Sequence, residues 1–281
     1  MPSIVILGAG ELGGAVARQL AAADVTGRIV LVDEAAAVAE GKALDITQAA
    51  PIDGYSTAVV GSKDESLVLG ADVIVIADRH TTSTEWQGDH GVALVRRVAR
   101  LNPTSMILCA GATQMELVER GVGESGIGRH RLVGSAPEGL RSAIATMTAL
   151  EAGSSPCEVS VAVLGKPPSE LIVPWDEASI GGRRASDVLS PPAIVRLDAR
   201  LQRLWPPGAT TLASAATRVI TSSRRQQRET LYLFVALVRD EASAGGAAIL
   251  PVNVGESGIA QLLTPTLSTR DRVRLDTALR R

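Results

Sequence analysis

The chain opens on an apolar run, Ile4-Val5-Ile6-Leu7, that breaks into Gly8-Ala9-Gly10-Glu11-Leu12-Gly13, a Gly-x-Gly-x-x-Gly pattern. The next apolar run, 28–32, ends in Asp33, about twenty residues further on. Strand, glycine loop, helix, strand and acid in this order specify a βαβ unit of the dinucleotide-binding kind. Gly8 permits the tight turn, Gly10 lets the backbone approach a pyrophosphate, and Gly13 lets the helix pack close to the strand. The helix N-terminus, with Glu11 and Leu12 in its first turn, then faces the phosphates. Asp33 would accept hydrogen bonds from the adenosine ribose hydroxyls, and its charge opposes a 2′-phosphate, so the expected cofactor is NAD and not NADP. The same glycines would also serve a nucleotide-free unit that kept them for packing alone.

A length of 281 residues, 46% of them hydrophobic, suffices for one large or two modest domains. The formal net charge of −2 gives no footprint for nucleic acid, and no apolar run is long enough to span a membrane. The two cysteines, Cys109 in an apolar strand and Cys157 near a turn, fit a reduced, cytoplasmic setting better than a disulfide framework. A strand starts almost at the N-terminus, which leaves no room for a secretory leader. No His, Cys, Asp and Glu cluster has metal-ligand spacing, so no metal is expected.

Short apolar runs alternate with helical patterns, which predicts a parallel sheet with crossover helices. Strands are expected at 3–8, 28–33, 56–60, 72–77, 105–110 and 131–133, and helices at 12–23, 37–49 and 91–101. Beyond about residue 143 the pattern changes to strands 158–164 and 231–239, a long helix around 187–204 and another around 211–223. A hairpin follows, built on 247–254 and the turn Gly255-Glu256-Ser257-Gly258, and then a terminal helix 269–279. The expected organisation is a dinucleotide-binding domain over 1–143 and an α+β domain over 144–281.

Several segments make a family resemblance specific. Gly8-Ala9-Gly10, Asp33, Gly41-Lys42-Ala43-Leu44-Asp45, and Gly70-Ala71-Asp72-Val73-Ile74-Val75-Ile76 stand in an order similar to the lactate/malate dehydrogenase superfamily. The likeness continues through Arg131-Leu132-Val133-Gly134-Ser135, Leu164-Gly165, Pro174-Trp175 and Ala178-Ser179-Ile180-Gly181-Gly182, and reaches Gly208-Ala209-Thr210. It implies an α/β fold with an NAD-binding Rossmann domain, an α+β C-terminal domain, and hydride transfer between nicotinamide and a 2-hydroxy or 2-oxo acid. It also implies a homodimer or higher homo-oligomer, because the segment 41–45 lies in the family's dimer interface.

The catalytic groups that the resemblance implies are missing. Where the family has Gly-x-His-Gly-Asp, the chain reads Gly165-Lys166-Pro167-Pro168-Ser169, and proline carries no proton. Where it has Leu-Asp-x-x-Arg, the chain reads Gly139-Leu140-Arg141-Ser142-Ala143-Ile144; Arg141 is either a displaced carboxylate clamp or a surface residue. Gly88 stands where the mobile loop carries its arginine, and Ala112 where a strand end carries asparagine. Ordinary lactate or malate dehydrogenation is therefore not expected, since each such group is worth on the order of 10²–10⁴ in rate.

Other groups stand at the edge where ligands dock in such sheets. Ala77 and Arg79 follow the fourth strand, with Arg79 either pairing with phosphate or filling space. His80 is the best-placed titratable group, or else a loop-capping side chain. His90 beside Asp89, and Lys166 beside the missing histidine, complete the catalytic candidates, each with a solvated-surface alternative. Trp86 on the same loop either covers a flat ligand or packs as a lid. The expectation is thus an NAD-binding enzyme of altered chemistry acting on a small-molecule substrate; the alternative is a non-catalytic scaffold for assembly or cofactor sensing.

Overall fold

A computed structural model describes residues 3–237 and 245–280. The chain runs through β1 (Ser3–Leu7), α1 (Glu11–Ala23), β2 (Arg28–Val32), α2 (Ala36–Asp53), β3 (Ala58–Ser62) and β4 (Val73–Ile76). A short ribbon of β5 (Asp78–Arg79) and β6 (Thr84–Glu85) follows, and then α3 (Gly88–Leu101), β7 (Met106–Cys109), α4 (Met115–Ser125), β8 (Leu132–Gly134) and α5 (Ala136–Ala152). The strands order themselves β3-β2-β1-β4-β7-β8, all parallel. That is the doubly wound arrangement, with its ligand edge at the carboxyl ends of the strands. Every residue of β4 and β7 is buried, as parallel strands covered by helices on both faces require.

Two helices of this half were not expected. α4 carries Gly121 and Gly123, which weaken its helical signal. Gly121 is there for contact: a Cβ on it would strike the Leu132 side chain. α5 opens with Pro137 in its first turn and closes on Gly153 in the left-handed region (φ 63°). It runs unbroken through residue 143, where the sequence changes character.

The second half adds β9 (Val159–Ser160), β10 (Leu164–Lys166), β11 (Glu170–Ile172), β12 (Ser179–Ile180), β13 (Arg183–Arg184), α6 (Ala185–Val188), α7 (Pro191–Asp198) and α8 (Ala209–Arg224). It ends with β14 (Leu231–Ala236), β15 (Ala247–Gly255), β16 (Gly258–Leu262) and α9 (Thr269–Arg280). β14 lies antiparallel to β8 through the pair Phe234↔Gly134 and extends the main sheet toward β15, β10 and β11. At this seam the bare Gly134 leaves room for the fully buried Phe234 ring, which meets Trp205 edge-on at 5.8 Å. Burying such a ring is worth about 1.5–3 kcal/mol.

Three expectations are corrected. The strand over 158–164 is two strands in different sheets, with β9 paired to β12 and β10 paired to β11 and β15. The long helix over 187–204 is three pieces, α6, α7 and a 3-10 turn over Leu201–Leu204. Pro191 and Pro192 explain the break, since Ser190 is held extended before them (ψ 152°). The third strand starts at Ala58 and not at Ser56, because Ser56 and Thr57 bind the Asp24 carboxylate and form a loop. Residues 238 and 239 of the strand expected over 231–239 lie outside the described residues.

Candidate functional site

The glycine loop has the geometry its sequence implies. Gly8 is in a conformation open to glycine (φ 113°), and a Cβ on Gly13 would run into the Gly8 carbonyl oxygen. That closeness presses α1 onto β1 and turns its first N–H groups toward the carboxyl edge of the sheet. Leu12 is buried there and Glu11 is exposed. Lys42 on α2 reaches over and donates from Nζ to the Gly10 carbonyl oxygen at 2.5 Å.

The seat so formed holds a side chain of the protein. Leu12 and Gly13 donate their N–H groups to the Asp78 carboxylate at 3.1 and 2.8 Å, and the Gly10 N–H donates to the Asp78 carbonyl at 3.0 Å. A Cβ on Gly10 would strike that carboxylate. Here the bare α-carbon of Gly10 makes room for an internal anion. Of the residues after Ala77 the sequence singled out Arg79 and His80 as candidates, and the acid at 78 was not among them. Its signal was legible: an aspartate stands where a phosphate-facing backbone usually follows the strand.

Asp33 is buried at the end of β2, where it accepts N–H bonds from Ala9 (2.8 Å), Ala35 (3.0 Å) and His80 (3.1 Å). Burial pushes its carboxyl up, but these three donors and the nearby His80 charge outweigh it and hold it below the usual value of 3.8. His80 therefore meets the cleft through its backbone, with its ring exposed. Ala77 is buried and accepts N–H bonds through its carbonyl from Gln114 (3.0 Å) and Trp86 (3.4 Å).

Arg79 does not present its guanidinium to the glycine loop. It lies over the Trp86 ring, 4.8 Å from the centroid, and donates to Thr84 Oγ1 at 3.3 Å. With Asp33, Lys63 and Thr81 these two side chains line a crevice of only about 30 Å³. Among the described residues neither Arg79 Nε nor Trp86 Nε1 finds a hydrogen-bond partner, although both are buried.

Glu85, the cross-strand partner of Asp78, accepts N–H bonds from Ala112 (2.9 Å) and Thr113 (2.7 Å) and the Thr113 hydroxyl proton (2.6 Å). Those residues open the turn that leads into α4, so a second acid caps a second helix entrance.

The remaining candidates lie apart. His90 is exposed in the first turn of α3, where Asp89 is engaged by Arg120 at 2.7 Å. Lys166 ends β10, five strand positions from β4, roughly 24 Å at about 4.8 Å per strand. Arg141 is neither a free clamp nor a surface residue. Its side chain is 16% exposed and makes a 2.9 Å ion pair with the buried Glu138, which also accepts the Tyr232 N–H at 2.7 Å and faces Arg218 at 3.7 Å. Among the described residues no group of three or more His, Cys, Asp or Glu could hold a metal, and no helix is long and apolar enough to cross a membrane.

Comparison with known proteins agrees with this geometry. Residues 3–83 match the family model described as lactate/malate dehydrogenase, NAD binding domain. A malate dehydrogenase of Thioalkalivibrio sulfidiphilus is 28% identical over 99% of this chain and 96% of its own, and one of Dehalococcoides mccartyi is 24% identical over 98% and 95%. A lactate dehydrogenase from Cryptosporidium parvum, solved with lactic acid and β-nicotinamide adenine dinucleotide, superposes with a TM-score of 0.85 at 20% identity, over 99% of this chain and 94% of that one. A malate dehydrogenase from Salinibacter ruber gives 0.83 at 19% identity, over 98% and 93%. The fold is shared end to end.

Proposed function

From the match of residues 3–83 to a lactate/malate dehydrogenase NAD binding domain and the end-to-end likeness to malate dehydrogenases, we propose that this chain is a member of that superfamily, binds NAD between the glycine loop and the end of β4, and serves there as an oxidoreductase-like enzyme with altered chemistry. The amides of the 8–13 loop would hold the pyrophosphate, Asp33 the ribose hydroxyls, and Lys42 would add positive charge beside them. The composition of the site fits the group, while its donors are engaged by Asp78 in the conformation described. When bound, NAD supplies hydride transfer at the nicotinamide.

The observation that carries the altered chemistry is Pro167 at the exit of β10, in a chain whose three histidines all precede residue 131. No imidazole is available there to exchange a proton with a substrate oxygen. His80 is then the candidate acid or base, since its backbone already belongs to the cleft, and Lys166 and His90 stand behind it. Titration with NADH, followed by assays on pyruvate, oxaloacetate, lactate and malate, tests this. We expect binding without turnover; turnover at an ordinary rate of about 10 s⁻¹ would overturn the altered chemistry.

A non-catalytic role is favoured by one observation. Glu138 and Arg141 neutralise each other near where the family's substrate groups belong, which leaves no free clamp for a carboxylate. If His80→Ala and Lys166→Ala leave the protein's role in the cell intact while NADH still binds, the non-catalytic reading gains. A homodimer through α2 is supported by the exposed Leu44 and Ile52 on that helix, and light scattering that finds only monomer counts against it.

A further inference from the structure

The ribbon over 78–85 carries two acids side by side at its base, opposite its tip, and they cap two different helix entrances along one edge of the sheet. Asp78 and Glu85 are direct cross-strand partners, yet their carboxylates diverge, one to the N–H groups of Leu12 and Gly13 and the other to those of Ala112 and Thr113. Resting on the NAD reading above, we propose that these two carboxylates are internal anions that latch the ribbon shut over the dinucleotide cleft, and that an incoming NADH must displace them to bind.

Three observations support a latch over a fixed wall. First, the ribbon is a two-stranded sheet of two residue pairs whose intervening residues 80–83 are all exposed. A ribbon so short is not stable on its own, so the two acids at its base hold it in place, together with the Gly10 N–H on the Asp78 carbonyl and the His80 N–H on the Asp33 carboxylate. Second, the closed state is incompletely satisfied, because Arg79 Nε on the ribbon and Trp86 Nε1 just after it are buried without a partner among the described residues. Opening returns both to water. Third, Ser83 takes a left-handed conformation (φ 51°) at the tip, which is strained for a residue with a side chain. Against these stand charge-assisted hydrogen bonds from two helix entrances, which favour closure while no other anion is present. A pyrophosphate needs the same N–H groups as Asp78, so the two are mutually exclusive.

Asn and Gln keep the shape and one carbonyl acceptor while they remove the charge. Asp78→Asn/Glu85→Gln should therefore bind NADH about tenfold or more tightly than the unaltered chain in calorimetric titration, with Asp78→Asn giving most of the gain. Without ligand, the Leu12 and Gly13 amides should exchange slowly with deuterium in the unaltered chain and faster in the double variant. Circular dichroism verifies that the variant keeps its fold; if it does not, Asp78→Asn alone is compared. Equal or weaker NADH binding by a folded variant overturns the latch and leaves the NAD reading standing. Binding by neither form overturns both, and fast Leu12 and Gly13 exchange in the free unaltered chain overturns the latch alone.

Discussion

Two places in this molecule are closed by the protein's own charges, and they are closed differently. At the carboxyl edge of the parallel sheet, Asp78 and Glu85 sit on backbone N–H groups that any anion can use, and they hang from a ribbon with an exposed tip. At the root of α5, Glu138 is 3% exposed and is met by Arg141 one turn along the same helix, by Arg218 of α8 and by the Tyr232 N–H of β14. The first closure uses general anion receptors and can be undone by a competing anion. The second uses dedicated cations around a buried charge, so undoing it means disturbing the fold. At the glycine loop the charge rests on backbone donors, whereas at the root of α5 it is part of the packed structure.

The sharpest way to break that contrast is at Glu138. Removing it by Glu138→Ala leaves Arg141 and Arg218 without their shared partner and should cost about 3–5 kcal/mol in urea denaturation, with Glu138→Gln losing less. A cost near zero would place Glu138 in an open, solvated site and erase the distinction. Gly13→Ala attacks the other side from within, because the new methyl group meets the Gly8 carbonyl. About 1–3 kcal/mol of destabilisation is expected, and the Leu12 and Gly13 amides should lose protection along with it.

Acid should reach the cleft through Asp33. Its folded value lies below 3.8, so its contribution to stability is complete above 3.8 and is lost as pH falls through the lower folded value. Melting temperature followed from about pH 5 down to about pH 2 should therefore fall, and Asp33→Asn should flatten part of that fall. An unchanged slope in the variant would show that the three N–H donors do not favour the charged form. The smallest effect is a labelling count. Burial pushes the Cys109 thiol far above its usual range in β7, whereas Cys157 is exposed, so maleimide should modify Cys157 alone until the protein unfolds. Early reaction at Cys109 would mean that the sheet edge opens further than the ribbon.

Much of the fold was legible because its signals are local. Fully apolar runs mark β1, β4 and β7 as central strands, and Gly8, Gly10, Gly13 and Asp33 identify the first crossover with its loop. Where local signals were diluted the reading failed. Glycines inside α4 and a proline at the start of α5 hid both helices, while Pro191-Pro192 hid a break in an otherwise helical stretch. The departure at Pro167 was legible too, since proline has no side-chain proton to exchange in any conformation.

What the sequence by itself determined is the scaffold: a dinucleotide-binding crossover, an acid at the end of β2, and three histidines that all precede residue 131. Only the tertiary structure decided what fills the seat. Asp78 is 65 residues from Gly13, yet the side-by-side packing of β1 and β4 brings its carboxylate to the helix entrance. Glu85 reaches Thr113 over 28 residues in the same way. Partnership at such separations depends on which strands lie side by side, and no spacing along the chain encodes that. The glycine loop therefore specified a receptor for an anion, and the fold supplied the first anion to occupy it.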